Sequence, residues 1–274
     1  MNEATTPPMP SGPPPSKHKP DKVKVFKNVS GTELKAHIFF PKNLSQSDIR
    51  PAFVFFHPGG WTMGEPEWGY DLCHHFSKFD MVAISFEYRL SSIGGYCPAD
   101  AVLDAKSAVR WTRQHSPEFG IDSDMVIVGG ISAGGHLAAC TAMIPGMDDP
   151  EDNLGYSPVP QALALQSTPV NPAIYGQFIQ LLQGREKPED LSPSHHVKAD
   201  LPPMCLVQGT ADEIVSYESV KEFAYKMQES GNHCTLHTFE GADHFFMNKS
   251  DQIKAIKLID EFVTAFVIRK SSAL

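Results

Sequence analysis

A mostly parallel β-sheet with helices on both faces is the α/β fold class that the sequence predicts. Short apolar runs of buried-strand length recur along the chain, helix-period segments alternate with them, and one glycine-rich turn joins a strand directly to a helix. In an open parallel sheet, chemistry collects at the carboxyl ends of the strands. The strand-to-helix turns are therefore where functional side chains are sought.

The elements follow in order. Seven of the 23 prolines fall in the first 20 residues, among Ser, Thr, Gly and Lys, so residues 1–20 are expected to form a flexible proline-rich tail. Residues 21–274 then make one domain. Lys22 to Val29 and Glu33 to Phe40 read as short strands around the Ser30-Gly31 turn, and they need not be parallel. Ala52 to His57 and Met81 to Glu87 are apolar runs of buried-strand length. Pro98 to His115 then changes period, placing Val102, Ala105, Val109 and Thr112 on one helical face behind a proline near its first position. Met125 to Gly129 is a further buried strand, followed without a loop by a small-residue helix from Ala133 to Met143. Ala162 to Gln166, Met204 to Gln208 and Leu236 to Phe239 read as later strands, with a helix marked by Val220, Phe223, Ala224 and Met227 before the last of them. Asp251 to Ile268 stripes Ile256, Ile259, Val263 and Phe266 as a closing helix.

Composition bounds what such a domain does. The 274 residues carry 23 basic and 32 acidic side chains, for a formal net charge of −9. A chain of this length buries roughly three quarters of the surface its unfolded form exposes, so it needs no disulfide or metal staples. The acidic balance and the lack of a local basic patch argue against nucleic acid and anionic membrane surfaces as partners. Cys73, Cys97, Cys140, Cys205 and Cys234 are scattered, odd in number and without a CxxC, so neither a disulfide framework nor a zinc finger is expected. The longest apolar runs, such as Ala52 to Phe56, are about five residues against the roughly 20 of a membrane span. No basic start followed by an apolar stretch opens the sequence. The expectation is a cytoplasmic protein, or a periplasmic or secreted one had a leader been removed.

The clearest chemical signal is Val128-Gly129-Gly130-Ile131-Ser132-Ala133-Gly134-Gly135-His136, a G-x-S-x-G segment between strand and helix. A sharp turn there leaves no room for side chains beside the serine, which accounts for Gly130 and Gly134. The Ser132 hydroxyl is presented above the sheet at the positive end of a helix. A serine hydroxyl is a poor nucleophile until a base takes its proton. Of the twelve histidines, His244 in Glu240-Gly241-Ala242-Asp243-His244-Phe245-Phe246 follows the last strand and precedes the last helix, where the base is expected. Imidazole in turn needs an acceptor that fixes its tautomer. Asp212, just past the strand Met204 to Gln208, fills that role better than its neighbour Glu213 or than Asp243, which is too close in sequence to reach back to the ring.

Donors for a developing oxyanion are the remaining need. His57-Pro58-Gly59-Gly60-Trp61 follows the strand Ala52 to Phe56, and the backbone N–H groups of Gly59, Gly60 and Ala133 are the candidates. Trp61, Met63, Trp68 and Tyr70 follow this segment as candidate pocket residues. The pairs His74-His75 and His195-His196 lack a ligand set, so no metal site is expected.

Together these residues resemble the α/β-hydrolase fold, more closely the hormone-sensitive-lipase-like esterases and the small acetyl esterases that act on acylated carbohydrates. The resemblance covers nearly all of residues 22 to 269 and includes Glu87-Tyr88-Arg89-Leu90, similar to the family's Y-R-L segment, and Pro98-Ala99-Asp100 leading into a helix with Asp104 and Trp111. The resemblance implies that these last residues are structural. Two positions depart from the pattern: Pro58 stands where the family's H-G-G-G has glycine and removes one backbone donor, and Ile131 precedes the serine in place of an acidic residue or threonine. Only residues 167 to 200 leave room for a small cap, so little or no lid is expected.

The implied activity is that of a serine carboxylesterase acting on short-chain acyl esters, acetyl esters first among them, through an acyl-serine, with a small-molecule ester substrate and no cofactor. An amidase such as an arylformamidase uses similar glycine-rich segments, and S-formyl or lactone hydrolases are further relatives in chemistry. A catalytically silent binding protein of the same fold would be expected to lack Ser132, Asp212 or His244. Neither the oligomeric state nor the natural substrate follows from these residues.

Overall fold

Eight strands pair into one sheet: β1 (Lys22–Val29), β2 (Thr32–Phe39), β3 (Arg50–Phe56), β4 (Val82–Phe86), β5 (Ile121–Ile131), β6 (Ala162–Gln166), β7 (Met204–Gly209) and β8 (Cys234–Phe239). The structure is a computed structural model and describes residues 12–45 and 47–271. The strand order is β1-β2-β4-β3-β5-β6-β7-β8. β2 runs antiparallel to both β1 and β4, and every pairing from β4 through β8 is parallel. The fold class is thus the α/β arrangement that the alternating sequence pattern predicts.

Central strands are apolar throughout because both of their faces are covered. Every residue of β4 and β7 is buried. Within β3 the two-residue period sends Ala52, Val54 and Phe56 into one core and Phe53 and Phe55 into the other. The first core is closed by α2 (Pro98–Gln114), α4 (Ala133–Met143) and α6 (Tyr217–Glu229), the second by α1 (Tyr70–Lys78) and α7 (Lys249–Ser271). α3 (Ser116–Phe119) is a single turn ahead of β5, and α5 (Gly176–Leu181) belongs to the segment between β6 and β7. That segment also holds short 3-10 turns at Pro172–Ile174, Pro188–Leu191 and Pro193–His195.

Two differences from the sequence reading have local causes. β5 begins at Ile121, ahead of the apolar run at Met125, because Arg50 pairs with Ile121 and the register then shifts before Ala52 meets Val126. Helix α1 buries Tyr70, Cys73, Phe76 and Ser77, an apolar face that nine residues carry through only about two and a half turns.

Buried charges brace the first core. Arg89 Nε and Nη2 donate to the two Asp104 oxygens at 2.8 and 2.7 Å, and Lys27 Nζ adds a third contact to Asp104 at 2.9 Å. Asp100 caps α2 by accepting from the Cys97 N–H at 2.8 Å. The segment between β6 and β7 is tied to this cluster by Arg185, whose guanidinium donates to both Asp100 oxygens at 2.7 and 3.0 Å. The Y-R-L and Pro98-Ala99-Asp100 residues therefore hold the α2 side of the sheet together.

The expected tail spans residues 1–20, of which 1–11 lie outside the described residues. Residues 12–20 have no helix or strand and run along α1. There the His18 ring stacks on His74 at 3.6 Å and Lys19 Nζ lies 3.3 Å from Glu67. All five cysteines are buried and unbridged. No helix among the described residues is long and apolar enough to cross a membrane.

Candidate active site

β5 hands the chain directly to α4 through Ser132, whose backbone sits at φ 53°, ψ −123°. This lies outside the allowed regions for an L-residue and costs on the order of 1–3 kcal/mol, so the surroundings must enforce it. Neighbouring glycines make the enforcement sterically feasible. A Cβ on Gly130 would lie 2.3 Å from the Gly134 carbonyl group, and one on Gly135 would lie 2.1 Å from Thr168 Oγ1. The Ser132 N–H donates to the Gln166 carbonyl at 2.9 Å, fixing the turn against the end of β6.

Phe56 and Gly130 are partners across β3 and β5, so the segment following β3 emerges beside the serine turn. Gly59, Gly60 and Trp61 take φ values of 137°, 58° and 61°, three successive residues in the left-handed half of backbone space. A Cβ on Gly59 would overlap the Met63 carbonyl oxygen at 1.9 Å. The Gly59 carbonyl accepts from the N–H groups of Thr62 and Met63 at 3.1 and 3.0 Å, which closes the loop. Ala133 is the first residue of α4, so its N–H has no acceptor within the helix. His57 anchors the loop's entrance: it is buried, stacks on Tyr88 at 4.3 Å, and its Nδ1 lies 2.8 Å from the Pro58 carbonyl oxygen. Burial pushes its pKa down to about 4, leaving it neutral. The Tyr88 hydroxyl donates to the His57 carbonyl at 2.9 Å.

β7 and β8 deliver the other two candidates. Their ends pair at Gly209 and Phe239, and the loops beyond are joined by the Ala211 N–H donating to the Ala242 carbonyl at 3.0 Å. Asp212 Oδ2 lies 2.8 Å from His244 Nδ1, and His244 Nε2 lies 2.9 Å from Ser132 Oγ. Asp212 also accepts from the N–H groups of Ile214 and Val215 at 2.9 and 2.8 Å and from Gln208 Nε2 at 2.8 Å. A carboxylate at Nδ1 places the ring proton there and leaves Nε2 to accept the serine proton. Ser132, His244 and Asp212 are thereby brought into one line. Glu213 points to solvent, and Asp243 instead accepts from the Phe245 N–H of its own turn at 2.8 Å.

The four candidate pocket residues are divided. Trp61 is buried with its indole N–H directed at His136 Nδ1, 3.2 Å away. Tyr70 lies in the second core, its hydroxyl 2.6 Å from His37 Nδ1. Trp68 is half-buried beside His57, with Gly12 against its indole. Met63 is half-buried at the loop's end. Among the described residues no group of three or more His, Cys, Asp or Glu side chains is placed to hold a metal ion, and His75 is paired with Asp260 at 2.8 Å.

Three supporting contacts escaped the sequence reading. The Ser167 hydroxyl donates to the His244 carbonyl at 2.9 Å, Gln208 holds Asp212, and His136 joins Trp61 to the Leu191 carbonyl. Ser167 and Gln208 sit at strand ends, the one sequence signal that would have flagged them.

A family model described as alpha/beta hydrolase fold matches residues 53–248. A probable isoprenylcysteine alpha-carbonyl methylesterase of Arabidopsis thaliana is 27% identical over 237 residues, covering 76% of this chain and 47% of that protein. The chain spans about half the length of the curated relatives it matches. Among solved structures, Thermogutta terrifontis esterase 2 phosphoramylated by tabun superposes with a TM-score of 0.85 at 39% identity, covering 89% of this chain and 94% of that one. The same esterase with propionate bound gives a TM-score of 0.84 at 38% identity, over 89% of this chain and 93% of that one.

Proposed function

The chain belongs to the alpha/beta hydrolase fold family, and from that premise we propose that it is a serine carboxylesterase that hydrolyses short-chain acyl esters. The observation that carries the reading is the strained Ser132 hydroxyl 2.9 Å from His244 Nε2, with Asp212 2.8 Å from the opposite ring nitrogen. That arrangement does one kind of work: it removes a proton from an alcohol at the moment of attack and returns it to a leaving group.

In this reading Ser132 Oγ attacks the ester carbonyl as its proton passes to His244 Nε2. The carbonyl π electrons move onto oxygen, and the N–H groups of Gly59, Gly60 and Ala133 stabilise the resulting oxyanion. Collapse expels the alcohol, which takes the proton from His244 and leaves Ser132 acylated. Water, deprotonated by the same imidazole, then releases the acid and restores the serine. Asp212 accepts the hydrogen bond from the Nδ1 side of the ring and stabilises the imidazolium.

Short acyl groups are favoured by two facts. The segment between β6 and β7 carries only α5 and short turns, and the similar Thermogutta terrifontis esterase holds propionate. The test is a panel of p-nitrophenyl esters from acetyl to decanoyl, with acetylated xylan and N-formylkynurenine, run on the parent and on Ser132→Ala. Turnover should be fastest on acetyl to butyryl esters and absent in Ser132→Ala. Preference for decanoyl esters would refute the short-acyl reading, and faster cleavage of the formamide would make the protein an amidase.

A further inference from the structure

His136 lies one turn beyond Ser132 on α4, and its backbone N–H donates to the Ser132 carbonyl at 3.0 Å. Its side chain is fully buried and meets a different part of the molecule at each ring nitrogen. Nδ1 lies 3.2 Å from Trp61 Nε1, and Nε2 lies 2.7 Å from the Leu191 carbonyl oxygen. Cys140 Sγ is 3.3 Å from the same Nε2. An indole N–H only donates and a carbonyl only accepts, so one tautomer satisfies both contacts: bare Nδ1 and protonated Nε2. Burial holds the pKa down to about 4, which keeps Nδ1 an acceptor at neutral pH.

Trp61 is the residue that needs such a partner. It follows Gly59 and Gly60 directly and sits at φ 61°, where glycine is at ease and an aromatic residue is strained by roughly 1–2 kcal/mol. Left to itself, the backbone at Trp61 would relax toward negative φ and carry the preceding amides with it. Its carbonyl accepts from the Ser91 N–H at 2.8 Å, its ring meets Phe178 of α5 edge-on at 4.8 Å, and its indole N–H goes to His136. The same imidazole therefore contacts the serine's helix, the Gly59-Gly60 loop and the segment between β6 and β7.

We propose that His136 is a positioning residue for ester hydrolysis: its Nδ1 holds the Trp61 indole, and through it keeps the Gly59 and Gly60 amides in register with Ser132. Its Nε2–H secures the same assembly to the segment ending at Leu191. The proposal rests on the esterase reading of the Ser132 site and goes beyond it, because nothing about a triad requires a second histidine.

Two isosteric variants separate the two ends of the ring. His136→Asn places an amide oxygen near the position of Nδ1 and keeps an acceptor for Trp61, while losing Leu191. His136→Gln places an amide nitrogen near the position of Nε2 and keeps a donor for Leu191, while losing Trp61. Trp61→Phe removes the indole donor and retains an aromatic ring. Steady-state kinetics on an acetyl ester, with thermal melting as the control for folding, reads the outcome. His136→Gln and Trp61→Phe should each lose about 10-fold or more in kcat with KM within about twofold of the parent, because misplaced donors stabilise only the transition state less. His136→Asn, which keeps the acceptor for Trp61 and gives up only the Leu191 contact, should lose several-fold less kcat than His136→Gln, and the Trp61→Phe/His136→Gln double variant should be no slower than the worse single one.

Parent-like kcat in either His136→Gln or Trp61→Phe would overturn the proposal, as would equal losses in the Asn and Gln variants. Should His136→Gln fail to fold, Trp61→Phe decides alone. A parent protein without activity on any ester would overturn the esterase reading and this proposal with it. An active parent indifferent to these substitutions would overturn only the proposal.

Discussion

Gly134 and Phe56 are so closely packed that a single methyl group would not fit between them: a Cβ on Gly134 would lie 2.0 Å from the Phe56 carbonyl oxygen. This contact joins the first turn of α4 to the last residue of β3. It sets the distance between Ser132 and the loop that begins at His57. Gly134→Ala should therefore push the two apart, lowering kcat/KM for a short ester by about 100-fold and stability by roughly 1–3 kcal/mol. Kinetics and urea unfolding check both; an unchanged kcat/KM would mean that the spacing does not matter.

Asp212 and Asp243 are adjacent to the same histidine in different senses, one in space and one in sequence. Asp212→Asn leaves the shape but presents an amide to Nδ1, favouring the tautomer whose Nε2 already carries a proton and cannot accept the serine's. A fall in kcat of about 10³–10⁴-fold is expected, with the fold retained. Asp243→Asn, which touches only the amides of its own turn, should stay within about threefold. The reverse ranking in a kcat comparison would reassign the acid.

His57 and His136 both have pKa values depressed by burial to about 4. In the unfolded chain each returns to about 6.5, so between those values the unfolded state binds more protons than the folded one. Stability is then fully present above pH 6.5 and is lost as pH falls through that window toward 4. The loss approaches about 3 kcal/mol per histidine at full protonation. The unfolding free energy followed from pH 7 to pH 4.5 should decline in the parent and decline less steeply in His57→Gln. Equal slopes would show that His57 is not held neutral.

Arg185 and Asp104 differ sharply in burial although both belong to one ion-pair cluster. The Arg185 side chain is 46% exposed, whereas that of Asp104 is 0% exposed and faces Arg89 and Lys27. Asp104→Ala takes the two-pronged partner from buried Arg89 and one of two carboxylates from Lys27, leaving Arg89 with Asp100 and Lys27 with Asp149, and should cost about 3 kcal/mol, while Arg185→Ala should cost less than about 1 kcal/mol. Chemical denaturation of the two variants tests this, and similar costs would contradict it.

Much of the sheet was legible because strands covered on both faces must be apolar throughout, as in Ala52 to Phe56 and Met204 to Gln208. Helix α1 was not: Tyr70, Cys73 and Phe76 share one face in the second core, but nine residues give only about two and a half turns of the period. α5 has only six residues and opens on glycine, too short for a period to show. The positions of Ser132, Asp212 and His244 were readable because each stands on a turn at a strand's carboxyl end. What holds them was not: Ser167 reaches His244 across 77 residues of sequence, and Trp61 reaches His136 across 75. Local sequence also gives no sign that Trp61 and Tyr70 turn inward, because their polar atoms find partners on elements distant in the chain.

The central claim is that Ser132 is a nucleophile activated by His244. Its most direct test is incubation with the organophosphate paraoxon followed by peptide mass spectrometry on the parent, Ser132→Ala and His244→Ala. The account predicts a diethylphosphoryl group on the Ser132 peptide of the parent, none in Ser132→Ala, and labelling slowed at least about 10³-fold in His244→Ala, each in step with loss of esterase turnover. Label on another residue, or equally fast labelling without His244, would contradict it.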